Sequence, residues 1–238
     1  MSMEIKEIKK IVNKVEGSLY DREGQFLYSA AKNCKGRGLI VEIGSWKGKS
    51  TIWLARGSKA GNKVKICAID PHTGCIEHRE RNIKVWTFEE FRENIRNAKV
   101  DDIIVPMVKT SKEAAQDFKE PVEFVFVDGD HKYELVKLDF ELWFPKLVKG
   151  GIMAFHDVRG RNGPRKVFRE AICKSRTFTN IGLVESMGDA QKVKQNTARD
   201  RLRGVYVLFL TYLFEIGQKV RIPRAIRIFA KKIVDLIQ

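Results

Sequence analysis

The run Leu39-Ile40-Val41-Glu42-Ile43-Gly44-Ser45-Trp46-Lys47-Gly48-Lys49-Ser50 constrains the fold of this chain more than any other stretch. It is a short apolar run carrying an acid near its end, then a turn with glycines, then the start of a helical pattern. A strand this apolar is buried on both faces, as in a parallel sheet covered by helices. The glycines let the following backbone pass close to a ligand where a Cβ would clash. Open α/β sheets bind ligands at the carboxyl ends of their strands, beside the turn's N–H groups and the next helix's amino end. A dinucleotide fingerprint needs G-x-G-x-x-G and a phosphate loop G-x-x-x-x-G-K-[S/T]. Only Gly44 and Gly48 are present here, and Gly48-Lys49 arrives one residue too early. A glycine turn that serves only helix packing also fits.

The rest of the chain repeats the strand and helix alternation. Ile5, Ile8, Ile11, Val12 and Val15 recur at helical spacing, and Asp21 to Asn33 carries Phe26, Leu27, Ala30 and Ala31 on one face. A helix from Ser50 to Ala60, with Gly57 and Gly61 marking its end, completes the first strand-turn-helix unit. Val64 to Asp70 is a second apolar strand closed by an acid, placed where a carboxylate can accept hydrogen bonds from ribose hydroxyls or, alternatively, form a turn before Pro71. His72 to Trp86 is polar and aperiodic, a long loop over the strand ends. A capping box opens a helix at Thr87, Ile103 to Val108 is a strand, and Thr110-Ser111 caps a helix from Lys112 to Phe118.

The segment Val122 to His131 is the second informative stretch, an apolar strand ending in Asp128-Gly129-Asp130-His131. Tyr133 to Leu147 reads as a helix stopped by Gly150-Gly151, and the next strand, Ile152 to Phe155, ends in His156-Asp157. Parallel strands thus bring Asp128, Asp130, His131, His156 and Asp157 to the sheet edge that also carries Glu42 and Asp70. Clustered acids repel one another unless protons, cations or a substrate relieve them, the physical mark of a working site. Phe178 to Val184 and Gly204 to Leu210 are expected as an antiparallel closing pair, with a mobile loop from Gly188 to Arg203 between them.

Glu42, Gly44, Gly48 and Ser50 form the pattern E-x-G-x-x-x-G-x-S, which resembles the first motif of the class I S-adenosylmethionine-dependent methyltransferases. The run Asp128 to Glu134, followed by Leu142-Trp143-Phe144-Pro145, Gly150-Gly151 and Phe155-His156-Asp157, resembles the sugar and macrolide O-methyltransferases and cephalosporin-hydroxylase-like proteins. The resemblance covers roughly residues 37 to 175. It implies an α/β fold, a Rossmann-like seven-stranded, mostly parallel sheet with an antiparallel closing strand and helices on both faces. It also implies methyl transfer to a hydroxyl of a sugar or other small molecule, with an RNA methyltransferase or a non-catalytic cofactor-binding protein as alternatives. Glu42, Gly44, Ser45, Gly48, Ser50, Asp70, Ser111 and Asp128 are then expected to hold S-adenosylmethionine. Asp130, His131 and His156 would orient and deprotonate the acceptor, and Asp128 and Asp157 would be ligands if Mg or another divalent metal takes part. Histidine at 156, where metal-dependent members show an acid, leaves that metal open.

Composition sets the outer bounds. At 238 residues, 43% hydrophobic and 32% charged, the chain suits one α/β domain with additions: helices over 1–36, the catalytic domain over 37–211 and a basic amphipathic extension over 212–238. The four cysteines form no C-x-x-C pair, consistent with reduced thiols in the cytoplasm. A net charge of +15 favours anionic partners: an anionic acceptor, a membrane surface under the carboxyl-terminal helix, or, with less support, nucleic acid. Ile226, Phe229, Ala230, Ile233 and Ile237 form one stripe of that helix, which suits self-docking, a homo-oligomer or a membrane.

Overall fold

The computed structural model describes residues 3–76 and 80–219. Two helices, α1 (Met3–Val12) and α2 (Asp21–Asn33), precede strand β1 (Leu39–Ile43). Then follow α3 (Lys49–Ala60), β2 (Ile66–Ile69), α4 (Phe88–Asn97), β3 (Ile104–Met107), α5 (Ser111–Asp117), β4 (Val122–Val127), α6 (Tyr133–Trp143) and β5 (Leu147–Phe155). A short helix α7 (Asn162–Val167) continues into a π-helical turn, Phe168–Cys173, before the hairpin β6 (Phe178–Val184) and β7 (Met187–Lys192) and the long helix α8 (Ala198–Lys219).

The strands form one seven-stranded sheet in the order β3-β2-β1-β4-β5-β7-β6. β1 through β5 run parallel to one another, while β7 lies antiparallel between β5 and β6. Alternation along each strand sends side chains to two cores. Ile40, Ile66, Phe124 and Phe126 pack under α1 to α4, whereas Val41, Ile43, Val125, Val127 and Phe155 pack under α5 to α8. Burial of both faces accounts for the near-continuous apolar runs of β1, β2 and β4. The strand order reverses between β1 and β4, so β1 and β4 end side by side at the crevice.

The closing strands differ from the expectation. Phe178–Val184 is a strand, but its partner is Met187–Lys192, inside the expected loop, and the apolar run at 204–210 lies within α8. A continuous apolar run carries no periodicity that separates strand from buried helix. The hairpin escapes notice because Val184 pairs with Met187 across Glu185-Ser186, with no Asn-Gly signal; Glu185 itself takes φ 52°. Helix α8 runs without a break through residue 211.

Gly57 does not end α3 but lies inside it, with Gly61 as the C-cap. A Cβ at Gly57 would stand 2.1 Å from the Tyr28 carbonyl oxygen of α2, so the two helices meet backbone against side. Glycine to alanine inside a helix ordinarily gains about 0.5–1 kcal/mol. Here we expect Gly57→Ala to destabilise by about 1–3 kcal/mol, because backbone must move to admit the methyl. A lowered urea midpoint would show it, and a raised midpoint would refute the close packing.

Candidate active site

The turn after β1 is pressed against the end of β4. Gly44 takes φ +87°, and a Cβ there would lie 2.2 Å from the Asp128 carbonyl oxygen. The Gly44 N–H donates to Ile69 O at 2.8 Å, and the Asp128 N–H donates to Ile43 O at 2.8 Å. The chain then passes through Trp46, also left-handed at φ 47°, to Gly48, the N-cap of α3. Asp70, at the end of β2, ties this turn in place: its carboxylate accepts from Trp46 N at 2.7 Å and from His72 N at 2.6 Å.

A cleft of about 1100 Å³ opens above these strand ends. It is lined by Gly44, Ser45, Asp70, Asp128 and His156 at the strand ends, by Ser111 and Asp139, by His131, Asp157 and Arg161, and by Glu16 to Leu19. Ser50 also lines it. Glu42 and Gly48 do not: Gly48 faces Phe91, and Glu42 is fully buried, accepting a hydrogen bond from Thr51 Oγ1. Burial pushes the Glu42 carboxyl up to about 8, despite the nearby Ser50 and Thr51 hydroxyls.

The histidines and carboxylates sort into two connected groups. His156 is buried between carboxylates, with Nδ1 3.1 Å from Asp128 Oδ1 and Nε2 3.2 Å from Glu23 Oε2. Burial opposes its charged form, but Asp128 and Glu23 outweigh burial and raise its pKa to about 11. His156 is therefore an imidazolium at neutral pH with both nitrogens engaged, and it has no lone pair for an acceptor's proton. Burial raises the Asp128 pKa even though His156 works in the other direction. His131 is more open: its Nε2 lies 3.1 Å from Asp157 Oδ2, and that hydrogen bond raises its pKa against the effect of burial.

Asp130 acts as a strap rather than facing a proton donor in the cleft. Its Oδ1 accepts from the His131 and Lys132 N–H groups at 2.7 and 2.9 Å, and its Oδ2 accepts from Ile76 N at 3.2 Å. The segment after β2, whose Gly74, Cys75 and Ile76 line the cleft, is thereby tied to the turn after β4. Thr87 departs from the expected capping box, since its hydroxyl pairs with His72 Nδ1 at 2.9 Å and makes no cap bond. Among the described residues, no group of three or more His, Cys, Asp and Glu is arranged to hold a metal ion. Asp128 and Asp157, the expected ligands, each face an imidazole at 3.1 Å, and these described residues give no support to the expected divalent metal.

Two further residues at the site carry no sequence expectation: Glu23, buried behind His156, and Asp139, which lines the cleft. Glu23 of α2, fully buried, binds His156 and also accepts from the Ser186 N–H and hydroxyl, both at 2.7 Å. Its signal was its place on the apolar face of α2, four residues before Leu27 and seven before Ala30. Asp139, on the buried face of α6 with Val136 and Trp143, sits beside the Ser111 hydroxyl, and burial pushes it up to about 7.

Residues 41–158 match the family model of a methyltransferase domain. Over that stretch the chain matches a methyltransferase domain with the class I methyltransferase fold. Protein R132 of Acanthamoeba polyphaga mimivirus is 32% identical over 122 residues, 49% of this chain and 50% of that protein. A catechol O-methyltransferase of Niastella koreensis is 24% identical over 146 residues, 61% of this chain and 60% of its own length. The chain thus spans about half the length of the curated relatives it matches. The O-methyltransferase TomG from Streptomyces achromogenes, solved in complex with SAM, shares the fold at TM-score 0.57 and 16% identity, covering 81% of this chain and 91% of TomG. The matched region contains the end of β1 and all of β2 to β5, whereas Glu23 and the β6–β7 hairpin lie outside it.

Proposed function

We propose that this chain is an S-adenosylmethionine-dependent O-methyltransferase acting on a hydroxyl of a sugar or other small molecule. The observation that carries the reading is the His131–Asp157 pair at 3.1 Å, lining the same cleft as Gly44 and Asp70. The cofactor fits on two features. The Ser45 hydroxyl oxygen is buried with no hydrogen-bond partner, and Gly44, Ser45 and Asp70 line one cleft at the ends of β1 and β2. Ser45 and the Gly44 turn would hold the methionine end, Asp70 the ribose hydroxyls, and Ser111 with Asp139 the base. When bound, the cofactor supplies a sulfonium methyl already activated toward a nucleophilic oxygen.

The chain's own part is alignment and proton transfer. Neutral His131 accepts the acceptor's hydroxyl proton as its oxygen forms the new bond to carbon, and Asp157 stabilises the imidazolium that results. The fixed His156 cation balances Asp128 beneath the reacting groups. A net charge of +15 and the cleft-mouth Lys112 and Arg161 suit an acceptor bearing negative charge.

The test is transfer of labelled methyl from S-adenosylmethionine to a panel of sugar, catechol and phosphosugar hydroxyls. Cofactor binding without transfer to any of them would refute the O-methyltransferase reading. Asp70→Ala should weaken cofactor binding about tenfold or more by titration calorimetry, since it removes charged acceptors worth about 1.5–3 kcal/mol and loosens the Trp46 turn. Unchanged affinity would remove Asp70 from the ribose role.

A further inference from the structure

Helix α8 presents two faces of opposite character. Its inner face, with Gly204, Val207, Leu210 and Thr211 buried, packs on β6 and the π-helical turn. On its outer face Leu202, Val205, Phe209, Leu213 and Ile216 stand between 46% and 71% exposed, flanked by the partly exposed Tyr206 and Tyr212. Steps of three and four residues join these positions into one continuous stripe along the helix. Single exposed hydrophobes need no account, but a contiguous stripe of this length marks an interaction surface.

Charge identifies what the stripe suits. The two acids of α8 both turn inward: Asp200 accepts from Thr179 Oγ1 and Thr197, and Glu215 accepts from Arg169 Nη1 at 2.8 Å. The exposed charged residues that border the stripe at its start, Arg199 and Arg201, are both cationic, while Arg203 turns inward to donate to Ile181 O at 2.6 Å. The sequence beyond the described residues adds Arg221, Arg224, Arg227, Lys231 and Lys232, on a chain already at +15. The expected stripe at Ile226 to Ile237 lies outside the described residues. Two copies meeting through this face would bring like charges together. An anionic lipid surface satisfies both properties: aromatic and aliphatic side chains enter the headgroup boundary while arginines meet lipid phosphates and carboxylates. No described helix is long and apolar enough to cross a membrane, so contact would be in the plane of the surface.

We propose that the outer face of α8 docks this protein on anionic membrane surfaces through Leu202, Val205, Phe209, Leu213 and Ile216. The full chain would be sedimented with phosphatidylcholine vesicles, alone or mixed with phosphatidylserine, at low and high salt. Binding to the mixed vesicles only, weakened by salt, is the expected result. Phe209→Ser with Leu213→Ser should reduce it about a hundredfold or more, the loss for two apolar side chains returned to water. Arg199→Gln with Arg201→Gln should lower both affinity and its salt dependence. Circular dichroism and S-adenosylmethionine binding should be unchanged in both variants. Failure of the wild-type chain to bind the mixed vesicles would overturn the proposal, as would undiminished binding by the serine variant. So would a wild-type dimer in light scattering that the serine variant converts to monomer, which would assign the face to a second copy.

Discussion

Replacing Glu23 with alanine should lower the free energy of unfolding by about 3–5 kcal/mol, the usual loss when one partner of a buried ion pair is removed. Glu23 is fully buried, 3.2 Å from His156 Nε2, and also holds Ser186 and the Tyr20 N–H at the start of α2. Its removal leaves the imidazolium facing an apolar gap and frees two donors of Ser186. The pH dependence of stability gives a second reading. Burial raises the Glu23 pKa, but the His156 hydrogen bond outweighs it and the carboxyl is held below 4.5. Its contribution is present above that value and lost as acid protonates it. The His156 pKa is raised, so its contribution is complete below 6.5 and lost as pH rises toward about 11. Loss of Glu23 lowers the His156 pKa, so in the variant the alkaline loss is smaller and is complete at lower pH. Urea midpoints measured across neutral and alkaline pH would show both effects. A loss below about 1 kcal/mol with an unchanged alkaline limb would contradict the buried pair.

His131→Ala should reduce turnover by about 10²–10⁴-fold, the range for a lost general base, while cofactor affinity stays close to wild type. The pH profile separates a proton-transfer role from a structural one. The base form of His131 is neutral, and the Asp157 hydrogen bond raises its pKa above 6.5. Turnover should therefore rise with pH through a midpoint above that value. Asp157→Asn removes the negative partner and should bring the midpoint down. Asparagine also tolerates the left-handed backbone at 157, where φ is +57°. Full activity in His131→Ala, or a midpoint unmoved in Asp157→Asn, would remove this pair from proton transfer.

These two predictions come from residues of unequal legibility. Asp128, Asp130, His131, His156 and Asp157 were placed on one sheet edge by strand ends alone, because parallel strands necessarily finish on the same side. Their pairing was not readable. One residue separates Asp128 from Asp130, yet one meets His156 and the other straps Ile76. Turn geometry decided that, and it also set His156 as a fixed cation while His131 remained open to the cleft. The closing strands were misassigned for a related reason. A hairpin across Glu185-Ser186 and a helix over 204–210 differ in their long-range partners, which a local window does not contain.

The sequence by itself determined the alternating α/β architecture, the glycine turn at Gly44 and the edge at which chemistry gathers, because apolar periodicity and glycine conformation are local properties. Only the tertiary structure decided that Glu23, 133 residues from His156 in the chain, supplies its second carboxylate. It also decided which face of α8 is left open. Both depend on contacts between distant segments, and burial there fixes charge states and exposes surfaces that no local pattern encodes.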